Sequence, residues 1–218
     1  MSLSPLQEFE TTVSAAIAAF PTSRLIQRIE KGTATLAHYH AILLTVFHQT
    51  YLGPYNMALA AHRCSWRHEK AKEYLLRHAI EEQSHWRWVL DDLRATGYGG
   101  PDPRTLFPHI TCEAYVSFAE RVSEQAPYAR LATNSVLEGI AAEFGGRFGA
   151  LLIRQLGLKR DQVSFFINHG DTDKAHVPEI RGVIADCTLN PIEWGWMHRT
   201  AAVAGAYYRG MYDHEAFA

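Results

Sequence analysis

Three short stretches of this chain carry side chains whose types and spacing could hold a metal ion. The first is His169-Gly170-Asp171-Thr172-Asp173-Lys174-Ala175-His176. His169, Asp173 and His176 stand at i, i+4 and i+7. At about 100° per residue they lie within roughly 60° of one another on a helix. Two imidazoles and one carboxylate on one face form the ligand set of the facial triad that holds non-heme Fe(II) and leaves positions open for oxygen. The same spacing also suits a solvated polar helix face. Asp171 falls on the wrong side of such a helix.

The second stretch is His78-Ala79-Ile80-Glu81-Glu82-Gln83-Ser84-His85-Trp86. Glu82 and His85 have the Glu-x-x-His spacing that di-iron carboxylate bundles use. His78 lies one turn before Glu82 on the same face, and Glu81 is within reach of both histidines by spacing. Alternating charge on a helix often marks exposed i, i+4 pairs. Here Ile80, Trp86, Trp88, Val89 and Leu90 flank the charges, which points to burial, and a buried carboxylate needs a metal or a hydrogen-bonded cation. The third is Glu138, alone in the apolar run Val136-Leu137-Glu138-Gly139-Ile140. It could equally be a core glutamate paired with an arginine. Together the stretches offer Glu82, His85, Glu138, His169, Asp173 and His176. Such a set can hold two metal ions with a bridging carboxylate. Only one Glu-x-x-His is present, so the pattern is not that of an ordinary ferritin-like protein.

The elements that must position these groups read as helices. Ser4-Pro5 with Gln7 gives a capping box and a proline at the first helical position. Leu6, Phe9, Val13, Ile17 and Phe20 then form one apolar stripe. Further helices are predicted at 24–31, from about 35 to 51 with a break or kink at Gly53-Pro54, and on to about 62. One long helix is predicted from about 68 to 96, stopped at Gly97. A loop over 98–109 follows, then a helix capped by Thr111 and ending before Pro127. Another long helix is predicted from 127 to 156, closed by Gly157. A segment from 161 to 187 is predicted to be interrupted at Gly170 and Pro178. Asn190-Pro191-Ile192-Glu193 opens the last helix. No run alternates with period two. The expectation is one all-α domain over 1–218, a single helical bundle of seven to nine helices.

Composition narrows the function classes. The 218 residues are 47% hydrophobic and 20% charged, with a formal net charge of -2. That balance indicates a globular chain, with no basic field to attract nucleic acid or an anionic membrane. The three cysteines (Cys64, Cys112, Cys187) make neither a disulfide framework nor a zinc-cysteine site. The first residues lack the basic and apolar regions of a signal peptide, and no apolar run is long enough to span a bilayer. A cytoplasmic location is therefore expected. Histidine is in excess: 12, against 10 Phe and 10 Tyr.

Taken together, the motifs resemble those of a known family. Glu81-Glu82-x-x-His85-x6-Asp92-Leu93 on one helix, Leu137-Glu138-Gly139 on a later one and His169-x3-Asp173-x2-His176 resemble the heme-oxygenase-like di-iron oxidases and oxygenases. Their fold group includes heme oxygenase, thiaminase II and pyrroloquinoline-quinone synthase. The resemblance implies a heme-oxygenase-like bundle, two Fe(II) ions that activate O2, a small-molecule substrate such as an amino acid, amine or fatty acid, and a homodimer. It also implies that the helix bearing the His-Asp-His motif is mobile without metal, which Gly170 and Pro178 would favour. Many members carry a further glutamate on an earlier helix, but here no acidic residue lies between Lys31 and Glu69. His48 falls near that place, and the choice among His78, Glu81 and Glu82 stays open. His48, Tyr51 and Tyr55 are candidates for lining a pocket or for ordinary aromatic core.

Other readings of the same resemblance are a metal-free relative, either a cofactorless oxidase or a thiaminase-like enzyme, and a heme-degrading enzyme. A thiaminase-like enzyme needs a cysteine in the pocket. Heme oxygenases place a histidine on the first helix, where this chain has none before His38. A non-enzymatic metal-binding helical protein is the remaining reading.

Overall fold

Capping signals and apolar spacing of three and four put nearly the whole chain into helices. The computed structural model describes residues 3–218. It has α1 (Pro5–Ala19), α2 (Arg24–Lys31), α3 (Leu36–Arg63), α4 (Glu69–Glu82), α5 (Trp86–Ala95), α6 (Ile110–Gln125), α7 (Arg130–Ile140), α8 (Gly146–Leu156), α9 (Ser164–Asp186) and α10 (Pro191–Met211). There is no strand among the described residues. The pair α4 and α5 and the pair α7 and α8 each continue one another, so the ten segments make eight helices, within the expected range.

The end signals act as their chemistry predicts. Ser4 and Gln7 close a reciprocal capping box, and Asn190 Oδ1 accepts hydrogen bonds from the Ile192 and Glu193 amides. Gly32, Gly97 and Gly157 take the left-handed backbone of helix stops. One connected core of apolar residues runs through the bundle. The helix α3 packs against α4 and α6, α9 against α7 and α8, and α10 against α1, α6 and α7.

Four elements differ from expectation. The helix α3 runs unbroken through Pro54. Val46 and Phe47 before the proline and Met57, Ala60 and Ala61 after it are all buried, so the packing of one continuous face outweighs the lost hydrogen bond. The predicted helix 68–96 is instead broken at Gln83–His85, between two candidate ligands. The predicted helix 127–156 starts with one 3₁₀ turn and widens into a π-helical turn over Ala141–Gly145. The helix α9 is interrupted at neither Gly170 nor Pro178. In addition His109, not Thr111, caps α6: its imidazole accepts from the Thr111 amide.

Candidate metal centre

The C-terminal turn of α4 carries His78 and Glu82 on one face, as their i, i+4 spacing requires. The chain then leaves the helix for one tight turn, in which the His85 amide donates to the Glu82 carbonyl, before α5 begins at Trp86. That turn aims the His85 ring back at its own neighbour, and His85 Nδ1–H donates to Glu82 Oε2 at 2.7 Å. His169 Nε2 lies 3.9 Å from the same oxygen. Glu82, His85 and His169 thus form one donor group. The other comprises His78, Glu82, Glu138 and His176, whose ligand atoms all lie within 4.8 Å of one another. Within it His78 Nε2–H donates to Glu138 Oε1 at 2.8 Å and His176 Nδ1–H to Glu138 Oε2 at 3.1 Å. Glu82 belongs to both groups, the position of a bridging carboxylate.

Two features hold α9 against this centre. Asp92, fully buried on α5, accepts from the Ser164 amide and hydroxyl and from the Phe165 amide (2.7–2.9 Å), and from the Tyr39 hydroxyl at 2.7 Å. One carboxylate thereby satisfies orphan amides at the start of α9 and ties it to α3 and α5. Further along, Gly170 lies against Gly145 and Gly146 of the π turn and α8. A Cβ at 170 would stand 2.3 Å from the Gly146 nitrogen. The glycine that looks like a helix breaker in the sequence is a point of close backbone approach. His169 Nδ1–H donates to the Phe165 carbonyl at 2.8 Å, which fixes the ring and leaves Nε2 facing Glu82. This is how proteins commonly orient a metal-binding imidazole.

The electrostatics follow from burial and crowding. Burial pushes the Glu82 carboxyl up, but the His169 and His85 imidazoles outweigh it and hold it well below the usual carboxylate range. Burial lowers His169, yet Glu82 and Asp173 carry it to about 9. The Asp173 carboxylate, 3.6 Å away, and the hydrogen bond to Glu138 raise His176 to about 10. Burial raises Asp173. Four imidazoles and three carboxylates are crowded together at one largely buried centre.

Of the six residues predicted to hold metal, five fall in the two donor groups, and Asp173 lies beside them, with Oδ1 3.6 Å from His176 Nδ1. His78 is buried inside it. Glu81 sits at the outer edge, with Oε2 3.5 Å from His78 Nδ1 and 3.6 Å from His176 Nε2, and is largely exposed. The predicted pocket residues are placed elsewhere. Tyr51 and Tyr55 are 50% and 62% exposed, because continuous α3 turns that face outward beside Trp86. His48 faces α6 and the loop before it, near Glu113 and Leu106. The next residue, Gln49, is the one that lines the site.

A cavity of about 70 Å³ adjoins the centre, with Glu82, Glu138, His169 and Asp173 on one wall. The rest is largely aromatic: Phe144, Phe148, Phe165 and Phe166, with Tyr208 and Tyr212. No Lys or Arg among the described residues lines it. A second cavity of about 50 Å³ shares Gln49, Glu82, Leu137, Glu138 and His169 with the first and adds Tyr115, Arg130 and Asn134. The sequence reading missed Gln49, Arg130 and the two tyrosines. The signal for Arg130 is its spacing: Arg130, Asn134 and Glu138 stand at i, i+4 and i+8 on one face of α7.

Iron fits this donor set. Glu82 Oε1, Asp173 Oδ1 and His78 Nδ1 are buried without a hydrogen-bond partner. Buried polar atoms are rarely left so unless something else binds them. Nitrogen and carboxylate donors with no thiolate suit iron of the non-heme kind.

The comparisons with known proteins agree with this architecture. Solved structures similar to this chain include a domain of unknown function with a heme oxygenase-like fold from Shewanella denitrificans OS217. It is 20% identical, with a TM-score of 0.86, over 96% of this chain and 91% of that one. A TenA homologue from P. horikoshii OT3 is 12% identical with a TM-score of 0.76, over 96% and 97%. The heme oxygenase of Leptospira interrogans is 17% identical with a TM-score of 0.68, over 96% and 98%. At such identities the likeness establishes the fold: an all-α, heme-oxygenase-like bundle. No curated protein matches the sequence. Residues 41–202 match the model of the iron-containing redox enzymes, and the chain belongs to that family. No helix among the described residues is long and apolar enough to cross a membrane.

Proposed function

We propose that the chain is a non-heme di-iron enzyme that uses O2 to oxidise, oxygenate or cleave a small molecule. The observation that carries this reading is the pair of donor groups joined by Glu82, with unpartnered buried ligand atoms, beside an apolar chamber. His78, Glu138 and His176 would hold one ion, His85 and His169 the other, with Glu82 available to both and Asp173 beside His176. The chemistry that bound iron supplies there is the reduction of O2.

The protein's own side chains do the rest. The phenylalanines of the chamber exclude water and bind the apolar part of the substrate. The Phe165 carbonyl keeps the proton of His169 on Nδ1. Glu81, at the solvent edge and close to two ligand imidazoles, can carry protons between the centre and water. No cysteine lines either space. Burial pushes Cys64 and Cys112 up to about 12 and Cys187 to about 11, which does not favour a thiaminase-like nucleophile.

The test is anaerobic purification, reconstitution with Fe(II) and metal counting. About two irons per chain are expected, with most of the binding lost in Glu138→Ala and His169→Ala and a visible absorption change on exposure to O2. No uptake, or uptake unchanged in both variants, refutes the proposal.

A further inference from the structure

Four of the 12 histidines stand at the centre. Two more, His109 and His214, meet elsewhere in the fold. His109 closes the loop before α6, and His214 lies in the segment after α10. Their rings stack with centroids 4.0 Å apart and planes inclined by 27°. Glu215 reaches back to the pair, with Oε1 3.3 Å from His109 Nε2. That histidine is its only ion-pair partner among the described residues. Each of the three side chains offers one ligand atom, and these atoms lie within 4.8 Å of one another. None of the three belongs to the centre around Glu82 or lines its two cavities. His214 is 8% exposed. Its ring is placed by packing against Phe217 and by Thr45 of α3, whose Oγ1 lies 3.1 Å from Nε2.

We propose that His109, His214 and Glu215 form a second metal site, for a zinc-type divalent cation. Two imidazoles and one carboxylate are donors that zinc accepts, and a water completes the tetrahedron that three protein ligands begin. The Nε2 atoms are the ones on offer, because each Nδ1 faces a backbone amide: His109 that of Thr111 and His214 that of Ala216, both at 3.3 Å. Binding moves the proton of each ring from Nε2 to Nδ1, so both imidazoles stay neutral. At His109 the Thr111 hydroxyl, 2.9 Å from Nδ1, accepts that proton in a hydrogen bond. His214 gives up its long bond to Ala216. Burial, then the neighbouring His109, lowers His214 to about 4, so at neutral pH no proton competes with a cation for that ring. The cation would join residues up to 106 positions apart. Closing so long a loop removes entropy from the unfolded chain. It acts as a clip, fastening the segment after α10 to the start of α6 beside Thr45 of α3. The carboxylate–imidazole contact alone contributes little, because the Glu215 side chain is 83% exposed.

The test uses the chelator-treated full chain, with Zn2+ alone as the probe. Asparagine can supply the capping acceptor that each histidine supplies. His109→Asn and His214→Asn therefore remove a ligand and spare the helix starts, and Glu215→Gln changes only an exposed side chain. Zinc counted after gel filtration should fall by about one per chain in each asparagine variant relative to the parent. Calorimetry should show the matching step about tenfold weaker or more in Glu215→Gln. Zinc taken up at the centre around Glu82 is common to parent and variants and cancels in the difference. Carbethoxylation mapped peptide by peptide gives the local readout: zinc should protect His109 in the parent, and about ten times more zinc should be needed in Glu215→Gln. The zinc-induced rise in melting midpoint should be larger in the parent than in each variant. If an asparagine variant does not fold, Glu215→Gln and the carbethoxylation map decide. Equal zinc counts and affinities in the parent and the folded variants overturn the proposal, as does a His109 that reacts equally with and without zinc.

Discussion

Replacing Gly170 by alanine adds one methyl group at the closest backbone contact of the centre. The new Cβ would stand 2.3 Å from the Gly146 nitrogen, 3.0 Å from the Gly145 carbonyl carbon and 3.1 Å from the Gly146 Cα. All three are backbone atoms, so no side chain can swing aside. Relief to ordinary contact requires α9 and the π turn to part by about 1 Å. Overpacking of this kind costs about 1–3 kcal/mol. Alanine recovers part of that through helix propensity, worth about 0.5–1 kcal/mol. The net loss of about 1–2 kcal/mol lowers the melting midpoint by about 2–8 °C in a chain of this length. Function should suffer more than stability, because His169 is the adjacent residue and faces Glu82 from α9. Loss of orientation at such a ligand weakens metal binding about 10–100-fold. Gly182→Ala is the matched control: it lies exposed on the same helix with nothing within 4 Å of its added Cβ. It should leave metal binding alone and raise stability by about 0.5–1 kcal/mol. Thermal melting and anaerobic Fe(II) titration of both variants decide the point. If Gly170→Ala melts as high as Gly182→Ala and binds Fe(II) with parental affinity, the close-approach argument is wrong.

Three further outcomes follow from the same geometry. In the metal-free protein His169 and His176, raised to about 9 and 10, are protonated at neutral pH. Metal uptake at pH 7 should release roughly two protons per chain, and affinity should climb as pH rises; calorimetry in buffers of different ionisation enthalpy reads the number, and zero release refutes the protonation states. The sign for stability is the reverse. Imidazoles raised on folding support the metal-free chain fully below pH 6.5, and that support is lost as pH rises through 9 and 10, which melting of chelator-treated protein across this range will reveal. His214 behaves oppositely, since burial and then His109 lower it to about 4. Its contribution is lost as pH falls from 6.5 to 4, so His214→Gln should flatten the acid limb of the stability curve. Finally, Asp92→Ala removes the acceptor for three donors at the start of α9 and for the Tyr39 hydroxyl on α3. A loss of about 3–5 kcal/mol is expected in denaturant unfolding, together with weakened metal binding; a loss under about 1 kcal/mol would mean that water replaces the carboxylate at no cost.

Much of the centre is legible in residue types and their spacing. Residue type and helical period set His169, Asp173 and His176 on one face, place Glu82 near His85, and mark Glu138 as a charge in an apolar run. Those are local properties, because a helix converts spacing into direction without knowledge of its neighbours. The all-α class follows in the same way from caps and stripes. The misreadings all concern what lies across from a residue. Pro54 and Gly170 look like breaks by propensity, yet one is carried by a continuous packed face and the other lets two backbones meet. His48 and Tyr51 face away from the site and Gln49 faces into it, a choice made by which side of α3 meets the bundle.

The sequence by itself determined which donors exist and that they project from helices. The order and spacing of these motifs also carry the resemblance that pointed to the fold group. Only the tertiary structure decided that Glu82 is shared between two donor groups, that His78 joins it and Glu81 stays at the edge, and that Arg130 is buried on the wall of the same cavity as Glu82 and Glu138. These depend on the broken turn after Glu82 and on the distance between helices far apart in the chain. A one-dimensional spacing fixes an angle around one axis; it carries no information on the separation of two axes, and metal sites and ion pairs are set by that separation.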